Sequence, residues 1–521
     1  MENPYEHDWL DDEVHVGGRG LLVSLGAFVL FLLAPALSLL LPSLRPELSA
    51  KPPAGTLKAR LAAWEEGART LPLLESWRRS DQARLVRALG AGNRRVVATK
   101  DGWLHYRPDL ESVFGRGPYY VEPPSVARER QDRAWQAPLP VVRDFAEQLD
   151  RRGIRLVFVP VPTKPMLCRT GLGLGEDAVP HPDWHRVAAE LTDAGIEFVD
   201  LLPTIGGTGG DAARYLKQDT HWTPTAMAAA ARAVAARIDP GAEARSPAFE
   251  ELRRSSRGDL VGMLDLAESD AAALFPTETA ALLRPAEPGT PDGDGEADVV
   301  LLGDSFVNIF EDPGLGFGID GEESIGAGFA AHLAAALERP VRTIAVNGGG
   351  ASSVREAFAA LPPERLGSIG TVVWTFSARD LFLAELPARR AGIEWRRVEL
   401  PDPAAGPPKK GSEASLAIEV VATLRERSEI ENPNRPAYTE AVFSTLFESD
   451  DGGEFYVFHW AFRQRKLEPA SALAVGRRYR LRLVPLESAA PAVQRATRLD
   501  DLFRTDLDPW FAELAEEAPD R

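Results

Sequence analysis

Residues able to do chemistry gather at four places in this chain. Gly303-Asp304-Ser305-Phe306 follows directly on the apolar run at 299–302. A serine just past a buried parallel strand stands where α/β folds bind ligands, and the turn can aim backbone N–H groups at a developing oxyanion. The plainer alternative is a serine that merely caps a helix. Asp219-Thr220-His221-Trp222 leads into Thr223-Pro224. In an extended segment alternate residues share a face, so Asp219 would orient the His221 imidazole. A serine hydroxyl is a weak nucleophile until an imidazole takes its proton. The alternative is that Asp219 caps the helix starting near Pro224 and His221 is a packed ring. Asn347-Gly348-Gly349-Gly350 ends the apolar run 341–346. Asn347 and Gly348 are candidates for a second oxyanion donor, or else part of a simple strand-to-helix turn. Arg379, in Thr375-Phe376-Ser377-Ala378-Arg379-Asp380, can fix substrate or stabilise negative charge, or form an ion pair with Asp380 or Asp304.

Metal and cofactor chemistry find little support. His181 and His185 have helical metal-site spacing, but Pro182 sets His181 ahead of any helix and no third ligand follows. Asp292-Gly293-Asp294-Gly295 lacks most of a calcium loop's ligands. Glycines 314, 316 and 318 form no dinucleotide fingerprint. The single cysteine, Cys168, excludes a multi-cysteine metal site and an internal disulfide. No metal, no cofactor and no coenzyme A site are expected.

The elements that must position these residues follow from the apolar pattern. Over 94–399 apolar strand-like runs alternate with amphipathic helical ones, the mark of a parallel sheet flanked by helices. Strands are expected at 154–161, 196–199, 299–302, 341–346 and 371–374, and helices at 141–151, 184–192, 224–238, 325–337 and 354–361. Insertions at 285–297 and 311–323 interrupt the pattern. Residues 400–415 are rich in Pro, Gly and Lys and read as a linker. Beyond it, 416–521 forms a small antiparallel β domain with a C-terminal tail. The strands of a barrel or sandwich fall within 416–490, with a hairpin turn at Gly452-Gly453. The tail at 496–517 reads as amphipathic turns covering an edge.

The N-terminal region has another character. Residues 20–44 carry no charge, and 21–41 are almost wholly apolar. Such a run reaches about 30 Å as a helix, enough to span a bilayer. The acidic start and the length of the run argue against a cleaved signal peptide, so a transmembrane anchor is expected. Residues 1–19 read as a tail and 45–93 as a stalk with a helical segment. Basic residues outnumber those before the helix just after it, but that asymmetry orients large domains poorly.

The whole chain has 521 residues, with 59 Lys+Arg against 77 Asp+Glu and a net charge of −18. That length implies several domains, and that acidity argues against nucleic acid as a partner.

Together these motifs resemble the AlgJ/AlgX family of alginate O-acetyltransferases, which carry an SGNH-hydrolase-like domain. Lys100-Asp101-Gly102-Trp103-Leu104, Val159-Pro160-Val161-Pro162-Thr163-Lys164, Asp219-Thr220-His221-Trp222 and Gly303-Asp304-Ser305-Phe306 are similar to successive family motifs. The order Asp, His, Ser along the chain also fits. The resemblance covers roughly 95–390. It implies Ser305 as nucleophile, His221 as base and Asp219 as orienting carboxylate, an extracytoplasmic location at the inner membrane, and a polysaccharide substrate. The asparagine of the usual fourth block is missing near 375–380, where Arg379 stands. The AlgX branch has a C-terminal carbohydrate-binding β domain, and 416–490 occupies a similar place. Three functions remain open. The chain is an O-acetyltransferase of a secreted or cell-surface polysaccharide, with a membrane-bound acyltransferase supplying the acetyl donor. It is an acetyl esterase with the same triad. Or it is a non-catalytic glycan-binding or scaffold component of an export complex.

Overall fold

The computed structural model describes residues 72–518, except 100, 116, 120–137, 174–177, 287–296, 320, 384–394, 402–416, 431–432, 434–439, 451, 501, 503 and 505–506. The tail at 1–19, the anchor expected over 20–44 and nearly all of the 400–415 linker lie outside the described residues. So does the 45–93 segment up to residue 71; the helix Pro72–Leu89 represents its helical part. No helix among the described residues is long and apolar enough to cross a membrane. The chain divides into two compact units between Arg84 and Leu85. Everything that follows belongs to the second.

A five-stranded parallel sheet forms the centre. Its strands are β1 (Arg155–Val161), β2 (Glu197–Phe198), β3 (Val299–Gly303), β4 (Val341–Ala345) and β5 (Thr371–Ser377), ordered β2-β1-β5-β3-β4. β3 and β5 are buried along their whole length, which is why they read as unbroken apolar runs. The register sets Val161 opposite Ser377 and Gly303 opposite Thr375 and Ala345. The segments after β1, β3, β4 and β5 therefore leave the sheet along one edge.

Helices cover the sheet. α1 (Pro138–Asp150) buries Val141, Val142, Phe145 and Leu149, and Phe145 meets Trp374 of β5 edge-on at 5.6 Å. α2 (Trp184–Asp193) leads into β2. α3 (Pro224–Ile238) starts at Thr223, whose side chain accepts the Ala226 N–H, and Pro224 suits the first turn, where no intrahelical N–H bond is lost. α4 (Ser305–Asn308) follows β3, α5 (Phe329–Leu337) packs on α3, and α6 (Ser353–Ala359) and α7 (Ala378–Phe382) follow β4 and β5. α5 begins later than the expected 325, because Gly328 is its N-cap.

One hairpin was not expected. Phe249–Ser256 pairs antiparallel with Glu278–Pro285. The first strand is rich in charged and exposed positions, and the second leaves Thr279, Ala281 and Arg284 exposed around buried Ala280 and Leu282, an alternation too short to separate from loop. The chain between them carries Gly258 and Asp259 to the functional edge.

The second domain is a closed barrel. Its strands are β6 (Ile418–Arg427), β7 (Ala441–Ser449), β8 (Glu454–Arg463), β9 (Arg478–Pro485) and β11 (Pro509–Glu517), with β10 (Thr497–Leu499) beside β7. β7 and β8 form the hairpin expected at Gly452-Gly453. The tail, expected as turns over an edge, is instead integral. β11 lies between β8 and β9, parallel to the first and antiparallel to the second, and so closes the ring. A bulge between Arg482 and Leu483 breaks the register there, so the alternation that identifies a strand is interrupted in β11. The short helix Pro491–Arg495 and β10 meet the loop after β4, where Arg495 O accepts the Asn347 N–H at 3.1 Å.

Candidate active site

Ser305 opens α4 directly beyond β3. The helix cap is not Ser305 but Asp304. One Asp304 carboxylate oxygen accepts the Phe306 N–H at 2.9 Å, and the other accepts the Ser377 N–H at 2.9 Å. Asp304 thereby ties the start of α4 to β5, and burial raises its pKa. It makes no ion pair with Arg379.

The Ser305 Oγ lies 2.8 Å from His221 Nε2, and His221 Nδ1 lies 2.6 Å from Asp219 Oδ1. The three side chains form one hydrogen-bonded row, although Ser305 is 84 residues beyond His221 in sequence. His221 and Asp219 are buried, while Ser305 is half-buried and faces the cleft. The His221 ring packs on Phe306, centroids 4.8 Å apart.

The Asp219–His221 pair is not built on an extended strand. Tyr215 bridges Trp222 and Leu216 N donates to His221 O, pinching 216–221 into a tight loop. Within it Asp219 Oδ1 accepts the His221 N–H at 3.0 Å, the local ring that Asp side chains favour in turns. Asp219 Oδ2 accepts the Asp259 N–H at 3.0 Å. Asp259 in turn accepts from Thr220 N at 2.9 Å and from Thr220 Oγ1 at 2.6 Å. That contact needs Gly258, since a Cβ there would stand 2.2 Å from Gln218 O. From beneath, the buried Lys164 ammonium donates to the carbonyls of Leu104 at 2.6 Å, Lys217 at 3.0 Å and Asp219 at 2.9 Å.

The electrostatics follow from this packing. Burial opposes charging the His221 imidazole, but the Asp219 carboxylate outweighs it, with help from Asp259 and Asp304, and its pKa is raised. Asp219 is held below the usual carboxylate range because His221 and backbone N–H groups outweigh its burial. Asp259 is pushed up to about 7 by burial and by the charge of Asp219. Burial lowers Lys164 to about 8. An imidazole aimed at a hydroxyl and backed by an ionised carboxylate is a proton acceptor for that hydroxyl. Asp219, His221 and Asp259 also have donor atoms within 4.8 Å of one another. Both Asp219 oxygens and both Asp259 oxygens already accept hydrogen bonds within the protein.

The remaining candidates occupy the same cleft, a cavity of about 1810 Å³ lined by Ser305, His221, Gly348, Arg379 and, from the barrel, Thr497 and Arg498. Asn347 is engaged throughout. Its side chain pairs with Asn308 at 2.9 Å and Asp312 at 3.4 Å, and its N–H goes to Arg495 O. The adjoining Gly348 is exposed. Arg379 donates to Asp109 at 2.6 Å and lies 3.6 Å from Asp380, so its guanidinium is held by carboxylates at the cleft wall. His181 binds Gly115 O and stacks on Phe382, and gathers no ligand set. Cys168 is buried and its thiol is pushed up to about 12, first by that burial, so it is no competing nucleophile.

Asp259 and Asp109 escaped the sequence reading. Neither sits in a motif, and each meets its partner only through tertiary packing. Lys164 was visible through the resemblance; Lys100 lies outside the described residues.

Comparison with known proteins gives the following. Residues 96–378 match the family model described as SGNH hydrolase-like domain, acetyltransferase AlgX. The probable alginate O-acetylase AlgJ of Pseudomonas aeruginosa is 27% identical over 177 residues, 33% of this chain and 41% of that protein. Its counterpart from Pseudomonas syringae pv. tomato is 28% identical over 144 residues, 27% of this chain and 33% of that protein. The chain thus spans about two fifths or less of the length of these curated relatives. Among solved structures, the O-acetyltransferase domain of Pseudomonas putida AlgJ matches with a TM-score of 0.40 and 21% identity, covering 57% of this chain and 97% of that one. Pseudomonas aeruginosa AlgX matches with a TM-score of 0.37 and 18% identity, over 71% and 84%.

Proposed function

The chain belongs to the AlgJ/AlgX-type family of SGNH-hydrolase-like acetyltransferases, and on that premise we propose that it is an O-acetyltransferase of a secreted or cell-surface polysaccharide. The observation that carries this reading is the row Asp219, His221, Ser305, with 2.6 Å and 2.8 Å contacts, opening into a large cleft. In the proposed reaction His221 Nε2 takes the Ser305 proton as Oγ attacks the acetyl carbonyl of a donor ester. The tetrahedral intermediate collapses, and the donor alcohol leaves with the proton from His221. Acetyl-Ser305 remains. A sugar hydroxyl then gives its proton to His221 and attacks that ester, and Ser305 leaves and recovers the proton. The acetyl group has moved from one oxygen to another with no net water. Asp219 keeps the proton on Nδ1 and stabilises the imidazolium in both halves. The Gly348 N–H and the start of α4 are the donors proposed to face the oxyanion.

Further parts of the proposal concern the setting. Residues 20–44 anchor the chain in the inner membrane with the catalytic domain on the extracytoplasmic side. A membrane-bound acyltransferase supplies the acetyl donor. The relatives' name, alginate O-acetylase, supports a polysaccharide acceptor, and in this proposal the barrel residues lining the cleft, Thr497 and Arg498, contact part of it.

The test uses the full chain with an activated acetyl ester and oligosaccharide acceptors. Mass spectrometry should find one acetyl group on Ser305, and acetylated sugar should accumulate. Ser305→Ala should lower turnover by about 10³-fold or more, the scale of losing a triad nucleophile, and keep the wild-type thermal midpoint. Absence of acetyl-Ser305 in the wild type would refute the enzyme reading. Release of free acetate with acceptor in excess would make the chain an esterase.

A further inference from the structure

The barrel touches the catalytic domain at the loop that carries Gly348, and one of these contacts fixes a single peptide group. Thr497, the first residue of β10, donates its Oγ1 hydrogen to the carbonyl of Asn347 at 2.7 Å. That carbonyl belongs to the peptide joining Asn347 to Gly348. Every described peptide is trans, and in a planar trans peptide the C=O and the following N–H point in opposite directions. A hydroxyl that holds the Asn347 carbonyl toward the barrel therefore turns the Gly348 N–H away from it.

Gly348 itself borders the catalytic cleft: it is exposed and lines it with Ser305. A Cβ added there would meet nothing within 4 Å, so this turn faces open space. Its φ of +74° is a left-handed conformation that L side chains adopt at a cost. The other N–H groups of the block serve elsewhere. Asn347 donates to Arg495 O and Gly349 to Val346 O, and Gly350 is buried off the cleft lining. The peptide plane that presents Gly348 is thus held from the second domain by Thr497 Oγ1 at the Asn347 carbonyl, and the peptide before it by Arg495 O at the Asn347 N–H.

We propose that Thr497 is a positioning residue for acyl transfer, aiming the Gly348 N–H at the oxyanion formed on Ser305, so that the barrel is a working part of the catalytic site. The inference rests on the triad reading above and adds to it a role for a residue outside the catalytic domain. A donor aimed in advance needs no reorganisation as charge develops, and losing one outright costs about 10²–10³ in kcat. Losing only its aim should cost less, about tenfold.

The experiment compares Thr497→Val, which keeps the shape, with Thr497→Ser, which keeps the hydroxyl. Acetylation of Ser305 by an activated ester is followed in the full chain under single turnover. Thr497→Val should lower the limiting acetylation rate about tenfold with the half-saturating donor concentration within about twofold, and leave the pH at half-maximal rate unchanged, because His221 is untouched. Thr497→Ser should restore at least half the wild-type rate. A Thr497→Val rate equal to wild type would overturn the inference. So would a loss that Thr497→Ser shares, or a loss accompanied by a shifted pH profile. The Ser305→Ala control separates the two readings. If the wild type acetylates and Ser305→Ala does not, the triad stands whatever Thr497 shows.

Discussion

The Asp219→Asn substitution tests the triad most sharply, because each Asp219 oxygen faces a donor. Oδ1 accepts from His221 N and from His221 Nδ1, and Oδ2 accepts from Asp259 N. An asparagine has one acceptor oxygen and one amide nitrogen. If the nitrogen faces His221, the ring must present an acceptor at Nδ1, which puts the proton on Nε2. The Ser305 hydroxyl then meets an N–H instead of a base. If the nitrogen faces Asp259, two N–H donors oppose each other in a buried site. Either arrangement loses the base or strains the loop. A wrong tautomer in a serine triad lowers kcat by about 10⁴-fold, which at about 1.4 kcal/mol per decade is about 5.5 kcal/mol of barrier. The pH profile adds a second prediction from the same change. The raised pKa of His221 makes the neutral base accumulate only above the ordinary histidine range, so kcat/KM should rise through an apparent pKa above 6.5. Removing the Asp219 charge takes away the main influence that raises the His221 pKa and leaves burial opposed only by Asp259 and Asp304, so residual activity should rise at lower pH. The assay is steady-state acetyl-ester turnover from pH 5 to 9. Activity within tenfold of wild type, or an acid limb that does not move down, would refute the assignment of Asp219 as orienting carboxylate.

Two further predictions concern the supports of that pair. Lys164→Met leaves the carbonyls of Leu104, Lys217 and Asp219 without their common donor. The Lys217 carbonyl keeps the Leu104 N–H, so two buried carbonyls are left unsatisfied. At about 1–3 kcal/mol each the variant should lower the thermal midpoint by about 4 °C or more and slow turnover as the Asp219 loop loosens; a midpoint within about 2 °C of wild type would contradict the clamp. Asp259 has its folded pKa raised to about 7, against about 3.9 unfolded, so its ionisation favours the unfolded chain. Its contribution is complete below the unfolded value and is lost as pH rises toward 7. Asp259→Asn keeps an acceptor for the Thr220 N–H and a donor for its hydroxyl while removing the charge. The thermal midpoint of the variant relative to wild type should therefore improve between pH 4 and pH 7, and a difference that is flat or falls with pH would show that Asp259 stays ionised in the folded protein.

Some features were legible because they are local. The apolar runs of β1, β3 and β5 announce a parallel sheet, since a strand covered on both faces has no polar side to show. Gly303-Asp304-Ser305 sits at a strand end and Asp219-Thr220-His221 before a helix cap, so candidate nucleophile, base and carboxylate were all visible as types in suitable places. The charge-free stretch at 20–44 is equally local, but it lies outside the described residues. The strand β11 was read as turns because its bulge hides the alternation, and its neighbours β8 and β9 are remote in sequence.

Other features exist only in three dimensions. The 2.8 Å contact across 84 residues depends on β3 and the 216–221 loop arriving at one edge of the sheet. No spacing rule relates Asp259 to Asp219, Asp109 to Arg379, or Thr497 to Asn347, because each pair is joined by packing between elements rather than along one. Arg379 read as equally suited to substrate or to an ion pair; the structure places it against Asp109 and Asp380. By itself the sequence determined which side chains were available and which elements could carry them. The tertiary structure decided which polar groups meet, since a buried hydrogen bond is selected by the position of its partner, and that position is set by the whole fold.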